Sequence, residues 1–282
     1  MKRMTMLGAA LLVAMAGFAQ TDTTANSGSD TIRIGSMIII KKNKGSNNGK
    51  SETITIEKKA KKPSKVSTNY FILDIGFANL KDDTEYGSAE LTGPTSYLRT
   101  IRPGEAAFTK EDLELKTGKT TNVNLWLFMQ KLNITKGILN LKYGLGLEMF
   151  NYRYENNISY HKNPSYIFRD SVSFSKNKLF TSYVSVPFML NVNTRPGKKK
   201  GLSFSAGVTA GYLVGSRNKQ ISGERGKDKL KDDFNLEKFR LAYIGEVGLG
   251  PVRLFGSYST TALHEGALKQ YPYSFGLRLS NW

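Results

Sequence analysis

The sequence predicts an all-β fold, an eight-stranded antiparallel up-and-down transmembrane β-barrel. Downstream of residue 69, eight stretches alternate apolar residues with small or polar ones, as strands with one lipid face and one inner face do. The connections between these stretches are alternately long and short. Because every backbone polar group must be paired inside hydrocarbon, such strands can cross a membrane only in a closed barrel.

The first 19 residues have the pattern of a secretory signal peptide. Lys2 and Arg3 precede an apolar run over residues 6–13, and small residues lead to an expected cleavage after Ala19. The run is too short for a spanning helix, which needs about 20 apolar residues. We therefore expect an exported protein rather than one with a helical anchor.

The charge of the chain is strongly positive, with 41 Lys and Arg against 23 Asp and Glu. Such a balance first suggests nucleic acid, but the export signal argues against that partner. We interpret the charge as solvated groups beside an anionic membrane. The chain has no Cys, so neither disulfides nor thiolate metal sites are expected.

Residues 20–68 form a basic segment that we place in the periplasm, outside the barrel. Apolar residues at 31–42 and 52–58 flank an Asn- and Gly-containing stretch, which predicts a small hairpin. An isolated hairpin is marginal in water, so a disordered segment is the alternative. Residues 59–67 are predicted to form a flexible tether.

The barrel occupies residues 69–282. Each of its apolar runs reaches the 9 to 11 residues that a tilted spanning strand needs, the seventh only just, whereas strands of soluble sandwiches are usually shorter. The predicted lipid-facing residues are, strand by strand, Phe71, Leu73, Ile75 and Phe77; Val123, Leu125, Leu127 and Met129; Leu139, Leu141, Tyr143, Leu145, Leu147 and Met149; Phe180, Val184, Val186, Phe188, Leu190 and Val192; Leu202, Phe204, Ala206, Val208, Ala210, Tyr212 and Val214; Phe239, Leu241, Tyr243, Val247 and Leu249; Val252, Leu254 and Tyr258; Tyr271, Tyr273, Phe275, Leu277 and Leu279.

The connections predict the orientation. Outer-membrane barrels have short periplasmic turns and long outer loops, so both chain ends should lie in the periplasm. Trp282 departs from the pattern, because it has inward parity at a position where an outward aromatic is usual; a bulge near Ser280 or anchoring at the interface would explain it. The long connections are 80–119, 153–178, 216–238 and 261–270, and the short ones are 133–136, 194–201 and 250–251.

Charged residues at inward positions predict a network that fills the lumen. An eight-stranded barrel is just wide enough for side chains, and buried charges must be paired. Three acids against four bases nearly balance. A narrow proton or ion path along the same residues is the alternative. The predicted network comprises Asp74, Lys142, Glu148, Arg240, Glu246, Arg253 and Arg278.

Catalysis has little support in the sequence, and we predict a protein that is not an enzyme. The two histidines are His161 and His264, both in long loops. A lipid A-modifying enzyme that uses Ser259, His264 and Glu265 is the alternative, although no nucleophile motif surrounds these residues. The histidines have no metal-ligand spacing, and no cofactor is expected.

The second long loop is rich in aromatic residues. They predict an interfacial girdle and a loop core, with a ligand surface for sugar or peptide as the alternative. The residues are Tyr152, Tyr154, Tyr160, Tyr166 and Phe168, with Arg153 and Arg169 beside them.

Four features occur together here: the signal peptide, YVSVPFMLNVN at 183–193, glycine-rich third and fifth strands, and the terminal YSFGLRLSNW. With them the chain resembles the outer-membrane β-barrel proteins of Bacteroidota, the group that includes PorT-like proteins, over residues 69–282. The resemblance implies an integral outer-membrane protein and carries no catalytic residues. We expect a monomeric barrel with a structural, adhesion or secretion-assisting role, in contact with outer-membrane lipid, lipopolysaccharide and an envelope or secretion-complex protein.

Overall fold

The computed structural model describes residues 65–93, 95–196 and 201–280, and the backbone of the strands at 30–34, 37–44 and 51–58. The predicted signal peptide and Trp282 lie outside these residues. No described helix is long and apolar enough to cross a membrane. The elements are β1 Asp30–Ile34, β2 Met37–Lys44, β3 Ser51–Lys58, β4 Val66–Asp82, α1 Ala89–Thr92, β5 Leu98–Arg99, a 3-10 helix Lys110–Leu113, β6 Thr121–Thr135, β7 Leu139–Arg153, β8 Ile158–His161, β9 Tyr166–Arg169, β10 Phe174–Asn193, β11 Leu202–Ser222, β12 Gly226–Leu230, β13 Phe239–Leu249, β14 Val252–Ser259 and β15 Gln270–Leu279.

The chain divides into two compact units, with the boundary between Ser64 and Lys65. In the first unit, β1, β2 and β3 form an antiparallel sheet in that order. The pairing of β2 with β3 is the predicted hairpin. The predicted first arm, residues 31–42, differs from expectation because it holds two strands that pair with each other. The tether prediction is wrong at its end, where β4 already begins at Val66.

The second unit is the predicted eight-stranded antiparallel barrel. Strands β4, β6, β7, β10, β11, β13, β14 and β15 follow one another around the ring, and each pairs with its neighbours along the chain. The ring is complete because β15 pairs with β4 and β10 pairs with β11. No strand of this ring is left with an unpaired edge, which is the condition for crossing hydrocarbon.

The two faces of the wall follow the predicted parity over most of the ring. Along β7 every second residue is buried, and the alternate residues carry the leucines. The outer surface of β13 exposes Phe239, Leu241, Tyr243, Val247 and Leu249. Turns at one end are short, whereas residues 83–120, 154–173, 223–238 and 260–269 connect the strands at the other end.

A bulge in β6 changes one predicted face. In the pairing with β7, Trp126 is opposite Gly146 but Phe128 is opposite Leu145, so that Leu127 is one extra residue in β6. Parity reverses beyond this point. The prediction that Met129 faces lipid is therefore wrong, since Met129 lies in the lumen and is 1% exposed.

A second bulge lies between β10 and β11. Ser182 is opposite Gly215 and Tyr183 is opposite Leu213, which leaves Val214 unpaired. Gly215 consequently shares the outward face of Ser182, whereas alternation alone places it inside. Beyond the pair of Lys178 with Arg153, β10 and β11 continue past the other barrel strands, and the hairpin strand β12 pairs with the extension of β11.

Candidate functional site

The inward-pointing charges of the barrel form the first candidate site. All seven predicted residues lie on inward positions and are nearly inaccessible to solvent. Each of them takes part in at least one ion pair with another member. We call this set, Asp74, Lys142, Glu148, Arg240, Glu246, Arg253 and Arg278, the lumen network.

Arg278 on β15 joins two carboxylates across the lumen. Its Nε and Nη2 donate to Oδ1 and Oδ2 of Asp74, both at 2.7 Å, and its Nη1 donates to Oε2 of Glu246 at 2.7 Å. Asp74 also accepts from the indole Nε1 of Trp126 at 2.7 Å. The planar guanidinium suits this arrangement, since it can form a two-point contact and a third bond at once.

Glu246 is the centre of the larger cluster. Its Oε1 accepts from Nζ of Lys142 at 2.6 Å and from Nη1 of Arg253 at 2.8 Å, while Arg278 holds Oε2. One buried carboxylate thus contacts three cations from β7, β14 and β15. This cluster ties together strands that are not all neighbours in the ring.

Arg240 and Glu148 form a separate pair. Nη1 of Arg240 lies 3.0 Å from Oε2 of Glu148, and its guanidinium stacks over the ring of Phe150 at 4.9 Å from the centroid. The lumen network therefore consists of two clusters, which alternation along single strands could not reveal.

The structure adds Lys131 to the inward charges. Lys131 is directly opposite Lys142 and so shares its inward face. Strict alternation places Lys131 on the outer face, because the bulge at Leu127 reverses the parity before it. Lys131 adds a fifth base beside the four bases and three acids of the lumen network.

Apolar side chains also fill the lumen. One cluster contains Ile72, Trp126, Met129, Met189 and Ile244. Close approach of the strands makes room for it: a Cβ on Gly146 would lie 2.6 Å from Cε3 of Trp126. The lumen is thus packed with both ion pairs and apolar groups, and the arrangement can brace the wall more readily than conduct solute.

The long connections form the second candidate site. Residues 83–93, 95–120, 154–173, 223–238 and 260–269, which we call the loop cap, lie at the end of the barrel opposite the short turns. Strand β5 pairs in parallel with β9, and β8 pairs with β9 in the antiparallel sense, so the first two loops share a small sheet. All four loops contribute to one apolar core, with Leu98, Phe108, Leu113, Ile158, Ile167, Phe234, Leu236, Leu263 and Leu268 buried in it.

Salt bridges connect different loops at the surface of the loop cap. Arg169 donates from Nε and Nη2 to both carboxylate oxygens of Asp112 at 2.7 Å. Asp170 accepts 2.7 and 3.1 Å bonds from Arg225, which joins the second loop to the third. Burial raises the pKa of Asp170, but bonds from Arg225 and Ser159 outweigh it and lower the pKa below the usual value. The cap is therefore an ordered unit rather than four independent loops.

The aromatic residues of the second loop divide between core and surface. Tyr154 and Tyr160 are buried in the core of the cap, where their hydroxyls lie 2.6 Å apart, and Tyr152, which lies on β7 rather than in the loop, is buried in the same cluster. Tyr166 and Phe168 are half-buried on the small sheet, with the Arg99 guanidinium 4.2 Å above the Tyr166 ring. The loop-core interpretation fits the first three residues.

The candidate catalytic residues do not come together. Ser259 Oγ bonds to the carbonyl of Leu241 at 3.3 Å, and neither ring nitrogen of His264 has a hydrogen-bond partner among the described residues. His161 stacks on Tyr166 at 4.5 Å and contacts the carbonyl of Pro164. No group of three His, Cys, Asp or Glu that could hold a metal ion occurs in the described parts of the chain.

The burial of His264 predicts that opening of the loop cap depends on pH. It is 2% exposed, and burial lowers its pKa from about 6.5 to about 3, with a smaller opposing effect from Asp82. Between these values the opened cap binds more protons than the closed cap, so closure weakens as pH falls below about 6.5. We expect opening to become easier by about 2 kcal/mol between pH 7.5 and pH 5.

Hydrogen exchange of the peptide around Leu263, corrected for intrinsic rates, measures this opening. In the variant His264→Phe the ring remains but the titrating group is gone, so the pH dependence should disappear. If it persists unchanged, another group controls the cap.

Two comparisons with known proteins bear on these sites. The family model described as outer membrane protein beta-barrel domain matches residues 105–264, more than half of the chain. No curated protein matches the chain. The matched region runs from the first loop to the fourth and includes six of the eight barrel strands in full, β6, β7, β10, β11, β13 and β14.

Proposed function

The chain belongs to the outer membrane protein beta-barrel domain family, and we propose that it is a plugged, non-enzymatic barrel whose loop cap is displayed outside the cell for binding. As an integral outer-membrane barrel protein it has a wall in contact with lipid. The cap would serve adhesion or assist an export complex by docking a protein of the envelope or of a secretion complex. The barrel works as a monomer.

The observation that carries the proposal is the shared core of the four loops. Loops that only connect strands need no common packing, whereas ordered loops on a rigid scaffold are a frequent basis for binding. Here all four loops bury side chains in one core. The proposed orientation follows from loop length, because long loops of such barrels face outward and short turns face the periplasm.

The filled lumen favours a plug over a channel. The Arg278 guanidinium lies 5.3 and 5.8 Å from the ring centroids of Trp126 and Phe255, and it is bonded to the carboxylates of Asp74 and Glu246. Moving an ion past it would break buried ion pairs, which is costly. The enzyme alternative has weaker support, because Ser259 and His264 share no hydrogen bond.

Single-cysteine variants test the orientation and the docking role, since the chain has no Cys of its own. Ile101 in the first loop and Ile138 in a short turn are matched positions, 50% and 47% exposed. In intact cells we expect a membrane-impermeant maleimide to label Ile101→Cys and to leave Ile138→Cys unlabelled. A thiol-linked photo-crosslinker at position 101 should then capture a discrete partner that mass spectrometry identifies.

Labelling of Ile138→Cys alone would contradict the proposed orientation. Labelling at 101 without any reproducible crosslink, repeated from a second exposed cap position, would contradict the docking role and leave the orientation intact. Permeabilised cells, in which both cysteines should react, provide the control for access.

A further inference from the structure

A row of four cations crosses the outer surface where the strands leave the barrel. Arg153 on β7 is directly opposite Lys178 on β10, Lys178 is opposite Lys219 on β11, and Lys219 is opposite Lys229 on β12. Opposite residues share a face, so the four side chains stand side by side on one surface. We call them the basic row; Lys176, Arg217 and Lys227 flank it on the same face.

The basic row lacks acidic partners. None of its four members forms a salt bridge with a residue that the structure describes. Nζ of Lys178 donates to Oδ1 of Asn151 at 2.6 Å, and Arg153 donates to the carbonyl of Ser175. Like charges directly opposite each other destabilise a sheet, so the row costs stability unless an anion binds there.

Burial and the surrounding like charges lower the pKa values of the two central lysines. Burial, followed by repulsion from Lys176, Lys219, Arg217 and Arg153, lowers the pKa of Lys178 to about 8. Burial, followed by repulsion from neighbouring cations, also lowers the pKa of Lys219. An anion bound at the row would offset the repulsion and raise the pKa of Lys178.

The height of the row matches the level of lipid headgroups. Outward side chains along β10 are apolar from Phe180 to Val192, apart from Ser182. At the usual rise and tilt, residues 180–192 span about 30 Å along the barrel axis, close to the thickness of the apolar band. Lys178 is the next outward residue. The Arg217 guanidinium stacks on Phe180 at 4.5 Å and so marks the same boundary.

We propose that the basic row binds the phosphate groups of lipid headgroups in the outer leaflet. Lysine and arginine are the usual ligands of phosphate, and a row of four cations suits a headgroup that carries more than one phosphate. The assignment of the leaflet rests on the proposed outward orientation of the loop cap. Bound lipid would fix the barrel and its cap at a set height in the membrane.

Native mass spectrometry of the purified full-length protein in detergent tests the proposal. The probes are diphosphoryl lipid A and the same lipid with both phosphates removed. The variant Lys178→Gln/Lys219→Gln removes the two central charges, and Lys110→Gln/Lys162→Gln removes two exposed cap charges as the matched control. We expect the first variant to retain diphosphoryl lipid A roughly tenfold less well than the wild type and the control.

Equal retention by all three proteins would overturn the proposal, as would equal binding of the dephosphorylated lipid by the wild type. Full displacement by millimolar inorganic phosphate would assign the row to a soluble phosphate ligand instead. Preferential binding of dextran sulfate would assign it to an anionic polysaccharide. Because the detergent assay does not depend on orientation, its failure is distinct from failure of the cysteine labelling described above.

Discussion

Replacing Arg278 by methionine is expected to lower the free energy of unfolding of the barrel by about 3–5 kcal/mol. The guanidinium is 1% exposed and makes three 2.7 Å bonds to Asp74 and Glu246. Without it Asp74 remains a buried carboxylate that has only the neutral donors Trp126 and Asn124. Methionine retains much of the side-chain volume of arginine, so the loss of unfolding free energy is due to the missing charge rather than to a cavity.

Urea unfolding in lipid vesicles, followed by the heat-modifiable shift on gels, measures the change. The double variant Arg278→Met/Asp74→Asn removes both charges, and we expect it to recover at least half of the loss, since Asn can still accept from Trp126. Ser274→Ala, on the same inner face of β15, should change the unfolding free energy by less than about 1 kcal/mol. An Arg278→Met protein as stable as the wild type would show that the lumen network does not brace the wall.

Replacing Gly276 by alanine is expected to destabilise the barrel by about 3 kcal/mol or more, or to prevent its assembly. Gly276 on β15 is directly opposite Gly76 on β4, in the pairing that joins the last strand to the first. A Cβ at 276 would lie 2.3 Å from the carbonyl oxygen of Ile75 and 2.4 Å from Cα of Gly76. Both atoms belong to the backbone and cannot rotate away.

Gly256→Ala is the matched control for this substitution. Gly256 lies on the neighbouring strand β14, and the nearest atom to an added Cβ is the carbonyl oxygen of Ser274 at 3.8 Å. We expect a change of no more than about 0.5 kcal/mol in this variant. The yield of folded barrel after refolding into vesicles compares the two proteins, and equal yields would mean that the strands separate readily enough to admit a methyl group.

The wall of the barrel could be predicted from the sequence because its signal has a period of two. Along β7 from Leu139 to Glu148, each lipid-facing side chain is apolar and each inward one is small, polar or charged, so the sequence alone predicts the face of each of these residues. The seven charges of the lumen network were found in this way. Their pairing depends on distances across the ring, which no single strand encodes.

Alternation gave wrong answers where the wall is bulged. One extra residue at Leu127 places Met129 and Lys131 on the inner face. Trp126, which donates to Asp74 in the lumen, was not among the predicted lumen residues. A bulge leaves no mark in composition, because apolar residues occupy both sides of it. The core of the loop cap could not be predicted, for another reason. It joins residues that lie far apart along the chain, such as Leu98 and Ile167.

We expect the pairing of β15 with β4 to form last during assembly. Asp74 and Arg278 are separated by nearly the whole barrel sequence, so their contact has a large loop-closure cost and forms late. Until β15 arrives, β4 has a row of unpaired backbone groups that hydrocarbon cannot accept. The barrel is therefore expected to insert stably only when its carboxyl-terminal strand is present. A chain that ends before Gln270 would contain every loop of the cap but would not be stable in the membrane.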